Sequence, residues 1–168
     1  VFYGIKSIIG SGCVLNVKHF FSELDELRKA GIDTSLVKIA KNCHLIRKGH
    51  LEEDQKDEKI GTTKRGNGPA YRNKYNRTGM LAKDALELKP FLIDLYDEFH
   101  SSDDVKILCE GAQGFQLDID WGDYPFVTSS HCIAASALLN GIPPQAVRNI
   151  WGVGKVYDTY VGLKNFEP

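Results

Sequence analysis

Short apolar segments rich in β-branched residues alternate along this chain with stripes of apolar residues at helical spacing. Residues 5–17 predict two short strands around a glycine turn, and further strands are predicted at 36–40 and 43–46. A helical stripe runs from Phe20 to Ala30, where Gly31 supplies a stop signal. Strands that alternate with helices are typical of an α/β fold with a mainly parallel central sheet and flanking helices.

The second half of the chain continues the alternation. Helices are predicted from Met80 to Leu88, from Phe91 to Phe99 and from Cys132 to Asn140. Val105 to Cys109 is a compact apolar run, which predicts a central strand of the parallel sheet. A β-rich stretch is predicted from Ile150 to Val161. A chain of 168 residues has the size of one domain, so we expect a single domain over residues 1–168.

Composition and charge exclude several classes of protein. The chain is 42% hydrophobic and 26% charged, which argues against collagen-like, coiled-coil and disordered chains. Its net charge of -1 argues against a basic nucleic-acid-binding protein, and no apolar run approaches the ~20 residues of a membrane span. Cys13, Cys43, Cys109 and Cys132 are scattered and are predicted to be buried reduced thiols, which indicates a cytoplasmic location.

The cationic segment, which we define as residues 60–77, is the first candidate for a binding site. It holds five basic residues and no acidic one, so the near-neutral total hides a concentrated positive charge. Its glycines allow close approach of the backbone to a ligand, and Thr62 and Thr63 offer hydroxyl donors. Arginine and lysine side chains suit phosphate oxygens. The preceding run from Glu52 to Lys59 is predicted to be a solvated helix or loop.

Three interpretations of the cationic segment stay open on composition alone. It could be a solvated basic loop, or an RNA-binding loop in which Tyr71 and Tyr75 stack on bases. The third interpretation, a site for an anionic small molecule, is the one we favour. The segment is not a Walker A loop, since no G-K-[ST] sequence follows the glycines at the required spacing.

The second motif, which we define as residues 108–130, is the other candidate. It follows the predicted strand into a glycine-rich turn, and open α/β sheets bind ligands where such strands end. Asp118 and Asp120 could suggest a metal site, but their spacing is common in strands, and a structural or capping role is predicted for each. Gln113 lies among glycines, which clear space around its amide.

Together the two segments resemble the adenylosuccinate synthetase family. GTTKRG, GPAY, Lys74 and Arg77 are similar to the family signature around its IMP site. EGAQG, then LDID and YPFVTSS, is similar to its second diagnostic stretch, and both motifs occur in the family's order. Members of this family are ligases of purine (AMP) biosynthesis: GTP phosphorylates the 6-oxygen of IMP, and the amine of L-aspartate then displaces that phosphate to give adenylosuccinate.

The resemblance implies roles for individual residues. Thr63 and Thr128 would contact the 5′-phosphate of IMP, and Gln113 would contact the purine near its reacting carbonyl. Lys74 is the signature lysine, which together with Gln113 is implied to be catalytic. Arg77 would reach the IMP held by the other subunit, which implies a homodimer. No metal ligand is assigned within this chain.

The resemblance also implies a P-loop-NTPase-like synthetase fold of which this chain is the central part. The family's N-terminal phosphate loop, with its catalytic aspartate and a nearby histidine, would precede the match, and its aspartate-binding loop and guanine-recognition segment would follow it. GTP as co-substrate and Mg²⁺ belong to the full-length family, and their main binding segments are expected to be absent from these residues. We therefore expect the isolated chain to be inactive.

Several departures from the family pattern leave alternatives open. Lys64 stands where the family usually has glycine, Asn67 where it usually has isoleucine, and Tyr160 where it usually has arginine. The spacers that flank the first motif are shorter than in typical bacterial members, which indicates a compact variant. One alternative is therefore a phage-type enzyme that acts on dGMP, and another is a non-catalytic homologue that binds a purine nucleotide or dimerises.

Overall fold

The computed structural model describes residues 1, 3–102, 104–157, 159–160 and 162–165. Within these ranges the chain has a mixed α/β architecture, as predicted. Its strands and α-helices follow one another in the order β1 (Ser7–Ile9), β2 (Val14–Leu15), α1 (Val17–Lys29), β3 (Val37–Ala40), β4 (His44–Leu45), α2 (Lys48–Asp54), α3 (Asn67–Tyr75), β5 (Leu92–Ile93) and α4 (Leu95–Phe99). Short 3₁₀ helices lie at Ala82–Asp84, Leu86–Phe91, Phe115–Leu117, Ala134–Asn140 and Pro144–Ala146.

The strands form two small parallel sheets. One has the order β1-β3-β5, with Ile39 at its centre opposite both Ile9 and Leu92, and the other pairs β2 with β4. All four strands predicted between residues 5 and 46 are therefore present. Because β3 pairs in parallel with both β1 and β5, the carboxyl ends of these three strands meet at one edge of the larger sheet.

Helix α1 covers the core and shows why its sequence is helical. Asn16 caps it by accepting a hydrogen bond from the amide of His19 at 3.1 Å, so the helix begins earlier than the apolar stripe alone predicts. Phe20 and Leu24 point into the core, where a side chain such as Leu24 contributes roughly 1.5–3 kcal/mol by burial. The core is formed by Leu15, Phe20, Leu24, Val37, Ile39, Ala40, Cys43, Leu45, Ala82, Ala85, Leu88 and Leu95.

The helix predicted from Met80 to Leu88 is instead a pair of 3₁₀ helices. The amides of Ala82 and Lys83 donate to the carbonyls of Cys43 at 2.8 Å and Lys41 at 3.0 Å, so they are not available for an α-helical ladder. Downstream of Pro90 the predicted helix is also divided, because strand β5 precedes helix α4. Tertiary hydrogen bonds thus override the local helical pattern in this part of the chain.

The prediction of a central strand from Val105 to Cys109 is wrong. Among the described residues this segment pairs with no strand, and Leu108 is 89% exposed. The β-rich prediction for 150–161 is also wrong over its described residues, while residues 158 and 161 lie outside them. A strand needs a neighbour to satisfy its N–H and C=O groups, and neither segment pairs with a described strand.

The cysteines are free thiols, as predicted, but they differ in burial. Cys43 is fully buried, whereas Cys13 and Cys109 are exposed, so the burial prediction is wrong for these two. Burial raises the pKa of the Cys43 thiol to about 12. None of the helices in the described ranges combines the length and the apolar character that a bilayer crossing requires.

Candidate functional site

The structure brings the cationic segment and the second motif into contact. Gly66 precedes helix α3 and adopts a φ of 78°, which suits glycine. It lies just after residues 60–63, which we call the glycine-threonine stretch. On the first turn of this helix, a Cβ atom at Gly68 would lie 3.3 Å from the hydroxyl oxygen of Ser129. Two segments about sixty positions apart in sequence therefore meet along one face of α3.

Tyr71 strengthens this contact. Its hydroxyl donates to the carbonyl of Gly12 at 3.0 Å, and Ser130 lines the same cleft as Tyr71. Burial raises the pKa of Tyr71 to about 12, so the hydroxyl keeps its proton and acts as a donor at neutral pH. The phenol thus joins helix α3 to the glycine turn after β1, and the second motif lies beside it.

A cleft of about 370 Å³ opens at this junction. The cleft presents cationic, aromatic, imidazole and hydroxyl groups. It is lined by Gly68, Tyr71, Arg72, Tyr75, Ile119, Ser129, Ser130 and His131. Arg72 is held by Glu53, with 2.9 Å between its second guanidinium nitrogen and a carboxylate oxygen. The cleft therefore has one wall from the cationic segment and one from the second motif.

Two carboxylates shape the glycine-threonine stretch ahead of α3. Asp57 accepts from the amides of Ile60, Gly61 and Thr62 at 3.2, 2.9 and 3.3 Å. Asp54 is buried and accepts from the hydroxyl of Thr62 at 2.9 Å and from the amide at 66 at 2.7 Å. The stretch is consequently folded around side chains from the preceding charged run.

Thr63 and Arg77 project away from this framework. Thr63 is exposed directly after the bonded residue Thr62, and Arg77 is exposed just beyond α3 with a φ of 62°. Neither side chain has a hydrogen bond or ion pair within the described residues. Both groups are consequently free to meet a ligand or a second polypeptide.

Lys74 has a different environment. Its ammonium donates to the carbonyl of Ser11 at 2.8 Å and lies 5.8 Å from the ring centroid of Tyr71. Burial lowers the pKa of Lys74, although the nearby Cys43 and Cys13 thiols oppose that shift. The signature lysine is therefore anchored to the glycine turn that follows β1.

Gln113 and Thr128 lie on the second motif. Gln113 is exposed with a φ of 61°, and its side-chain oxygen lies 4.0 Å from the sulfur of Cys132. The amide of Thr128 donates to the carbonyl of Leu117 at 2.8 Å, while its half-buried hydroxyl has no partner among the described residues. Four of the five predicted site residues therefore present unused or weakly used polar groups, and Lys74 is the exception.

Asp118 organises the loop that carries Thr128. It is fully buried and accepts from the amides of Asp120, Trp121 and Cys132 at 2.9, 3.1 and 2.5 Å. Burial opposes its ionisation, but these hydrogen bonds outweigh that effect and hold the pKa of Asp118 below its ordinary value. The predicted capping role is confirmed for this residue.

The end of the described chain returns to the glycine-threonine stretch. The amide of Leu163 donates to the carbonyl of Ile60 at 3.0 Å, and a Cβ atom at Gly61 would lie 2.8 Å from the side chain of Leu163. The hydroxyl of Tyr160 donates to the carbonyl of Phe126 at 3.3 Å. Residues near 160 thus bridge the cationic segment and the second motif.

Sequence reasoning missed Asp54 and Asp57, since a charged run is usually solvated. Their signal was the spacing of an acidic residue four positions before Gly61, which allows one carboxylate to accept several successive amides. A second cleft, of about 340 Å³, was also not predicted. It lies where β3 and β5 end, and its walls include the Lys41–Asp94 ion pair and Asn140.

Comparison with protein families gives a match over nearly the whole chain. A model described as adenylosuccinate synthetase matches residues 1–101 and 85–167. The adenylosuccinate synthetase of Listeria monocytogenes is 34% identical over 215 aligned positions, which cover 96% of this chain and 50% of that protein. The one from Carboxydothermus hydrogenoformans is 36% identical over 211 positions, covering 95% and 49%. This chain spans about half the length of these relatives, and alignments longer than its 168 residues show that the relatives carry segments it lacks.

Two solved structures share the fold. The fully ligated adenylosuccinate synthetase of Plasmodium falciparum superposes with a TM-score of 0.83 and 24% identity, covering 95% of this chain and 49% of that one. The succinoaminodeoxyadenylate synthetase of cyanophage S-2L, solved with dGMP and dATP, gives a TM-score of 0.69 and 22% identity over 82% of this chain and 41% of that one. At these identities the likeness concerns the fold.

Proposed function

The chain belongs to the adenylosuccinate synthetase family, and we propose that it supplies the nucleoside-monophosphate site for the GTP-dependent ligation of IMP and L-aspartate to adenylosuccinate. The observation that carries this proposal is the junction of the two motif segments, where a Cβ atom at Gly68 would lie 3.3 Å from Ser129 and where Tyr71 and Ser130 line one cleft. The resemblance implies nucleotide contacts on both segments. Their contact supports one shared site on a domain formed by residues 1–168.

The phosphate is proposed to bind through side chains. Asp57 already occupies the amides of residues 60–62, so those N–H groups are not available to an anion. The hydroxyls of Thr63 and Thr128 have no described partner, and both suit a phosphate oxygen. The exposed guanidinium of Arg77 is proposed to reach the phosphate held by a second copy in a homodimer.

The purine is proposed to lie against Gln113. A side-chain amide carries both a donor and an acceptor, which can pair with the N–H and carbonyl edge of hypoxanthine. Lys74 is proposed to act with Gln113 near the reacting 6-oxygen, as a cation held in place by the carbonyl of Ser11. A half-buried ammonium strengthens electrostatic interactions with a developing negative charge.

GTP, Mg²⁺ and L-aspartate complete the proposed reaction, which belongs to cytoplasmic purine biosynthesis. The described carboxylates around the junction do not fit a resident Mg²⁺. Asp57 and Asp118 each accept several backbone hydrogen bonds. The two carboxylate oxygens of Asp54 accept from the hydroxyl of Thr62 and the amide of Gly66. We therefore assign neither the ion nor GTP to residues of this chain.

Titration calorimetry with IMP tests the proposal. We expect binding that Thr63→Ala weakens by about tenfold, the loss of one hydrogen bond to a charged group. Thr78→Ala is the matched control, since Thr78 is an exposed threonine just outside the cationic segment. Absence of IMP binding, or equal affinity of the Thr63→Ala variant and the parent, would contradict the proposal.

A second candidate substrate is dGMP. The shared fold with the cyanophage synthetase, which was solved with dGMP, favours it. Competition between IMP and dGMP in the same titration separates the two, because the 2-amino group of guanine adds a donor that hypoxanthine lacks. A non-catalytic homologue would bind either purine without supporting ligation, and an RNA-binding protein would prefer polynucleotide with steep salt dependence.

A further inference from the structure

Lys64 has a backbone conformation that glycine adopts without strain but a residue with a side chain does not. Its φ is 59°, in the left-handed region that costs a residue with a side chain roughly 1–2 kcal/mol. Its ammonium turns back onto the preceding segment and donates to the carbonyls of Gln55, at 3.3 Å, and Asp57. The ammonium group of Lys64 is therefore hydrogen-bonded to backbone carbonyls of the protein itself.

The same segment holds the glycine-threonine stretch from the other side. While the carbonyl of Asp57 accepts from Lys64, its carboxylate accepts from three consecutive amides, those of Ile60, Gly61 and Thr62. Burial of Asp57 opposes ionisation, but the amides outweigh it and lower its pKa, so the carboxylate is charged at neutral pH. Asp57 thus links both sides of the loop.

Asp54 closes the loop at its far end. Its two carboxylate oxygens accept separately from the hydroxyl of Thr62 and the amide of Gly66, where α3 begins. The amide of Lys64 in turn donates to the hydroxyl of Thr62 at 3.3 Å. The amide and the hydroxyl of Thr62 are consequently both used, and the side chain of Thr63 between the bonded residues is left outside.

We propose that Lys64, Asp57 and Asp54 are positioning residues that hold the clamped loop, residues 54–66, so that the Thr63 hydroxyl is preformed for a phosphate oxygen. The inference rests on the proposed function, since it takes Thr63 as the phosphate contact. A loop ordered before binding loses less conformational entropy when the ligand arrives, which raises affinity without adding a contact. Lys64 serves the phosphate through Thr63 and does not touch it.

A double-mutant cycle with IMP tests this assignment. Lys64→Met, which removes the ammonium, is expected to weaken binding by about fivefold in the parent and by less than about twofold when Thr63→Ala is already present. Lys59→Met is the matched control, because Lys59 is an exposed lysine of the same loop, and its loss removes the same charge. Equal effects of Lys64→Met in both backgrounds would show direct phosphate contact and overturn the proposal, as would equal effects of the two lysine variants.

Hydrogen exchange of the unliganded protein supplies a readout independent of IMP. Lys64→Met and Asp57→Ala are expected to speed exchange at the amides of Gly61 and Thr62 by about tenfold, while the amide of Ile39 stays protected. Unchanged exchange at Gly61 and Thr62 would overturn the clamp. If Thr63→Ala weakens IMP binding but Lys64→Met does not, the positioning role fails and the proposed function stands; if IMP does not bind the parent, both fail.

Discussion

The two halves of this chain are held together by different forces. The N-terminal region, residues 1–102, contains every described strand and nearly all of the buried hydrophobic side chains. The C-terminal region, residues 104–165, contributes Ile142 to the buried hydrophobic residues that the structure describes, and it exposes Leu108, Trp151 and Val153. Apolar burial organises the first region, and hydrogen bonds around the carboxylate of Asp118 organise part of the second.

Among the described residues, the two regions share no sheet. The C-terminal region contacts the N-terminal one partly through hydrogen bonds. Among them are the bond from the amide of Gly12 to the side chain of Asn140 at 3.2 Å and the bond from the amide of Leu163 to the carbonyl of Ile60 at 3.0 Å. The candidate site lies along these contacts, so its geometry depends on both regions. The apolar groups left exposed belong to a chain that spans half the length of its relatives.

The largest expected effect separates the two regions by stability. Ile39→Ala removes a fully buried side chain from the centre of the β1-β3-β5 sheet and is expected to lower the free energy of unfolding by about 3 kcal/mol. Ile107→Ala makes the same change at a site that is 42% exposed and is expected to cost less than about 0.5 kcal/mol. Urea unfolding followed by circular dichroism measures both. Equal losses would show that the C-terminal region has a core of its own.

Thiol chemistry gives the next largest contrast. Cys109 is exposed, whereas Cys43 is fully buried with a pKa raised to about 12, so alkylation at Cys109 is expected to be at least about tenfold faster. Mass spectrometry of peptides after timed iodoacetamide treatment measures both rates in one sample. Cys43 should react at the rate of Cys109 only after denaturation. Comparable rates in the native protein would contradict the described packing of β4.

Acid should loosen the C-terminal region first. Because the folded-state pKa of Asp118 lies below its ordinary value, its ionised form stabilises the loop at neutral pH. That stabilisation is present above the unfolded-state value of about 4 and is lost as the pH falls through the lower folded-state value. In a Trp151→Phe background, the emission of Trp121 should change in this range before the far-ultraviolet helical signal does. An Asp118→Asn variant that keeps the parent's acid transition would refute the assignment.

The smallest expected effect concerns the joint between the regions. An alanine at Gly10 would place its Cβ atom against the side-chain oxygen of Asn140, displacing the acceptor of the Gly12 amide. Gly10→Ala is expected to cost about 1 kcal/mol, the worth of one hydrogen bond. Gly49→Ala is the control. Gly49 lies within helix α2, and a Cβ atom there would have no neighbour within 4 Å, so this substitution is expected to leave the free energy of unfolding unchanged or to raise it. In thermal melts, the Gly10→Ala variant should unfold at a lower temperature than the Gly49→Ala variant. A Gly10→Ala variant as stable as the parent would contradict the contact with Asn140.

Over residues 5–46 the sequence predicted the fold well because its signals are local. Asn16 and Gly31 bound α1, and glycine turns separate short β-branched runs, so strands and helix follow from neighbouring residues. The run from Val105 to Cys109 looks equally strand-like, but pairing depends on a partner edge that no local pattern contains. The family prediction is confirmed by the match to its model and its relatives.

The sequence named candidate site residues but not the hydrogen bonds that position them. The resemblance named Thr63, Gln113 and Thr128, which the structure leaves with unused or weakly used polar groups. It could not name Asp54 or Asp57, because a carboxylate that serves its own backbone looks like a solvated charge until the turn is folded. Roles in binding and catalysis stay predictions for each of these residues.

An NMR titration of the labelled chain with IMP tests whether a purine monophosphate binds where the two regions meet. We expect shifts at the amides of both Thr63 and Thr128, with the Ile39 amide unmoved as an internal reference. Shifts confined to one segment, or centred on the second cleft at Lys41 and Asp94, would rule out binding at the junction of the two regions.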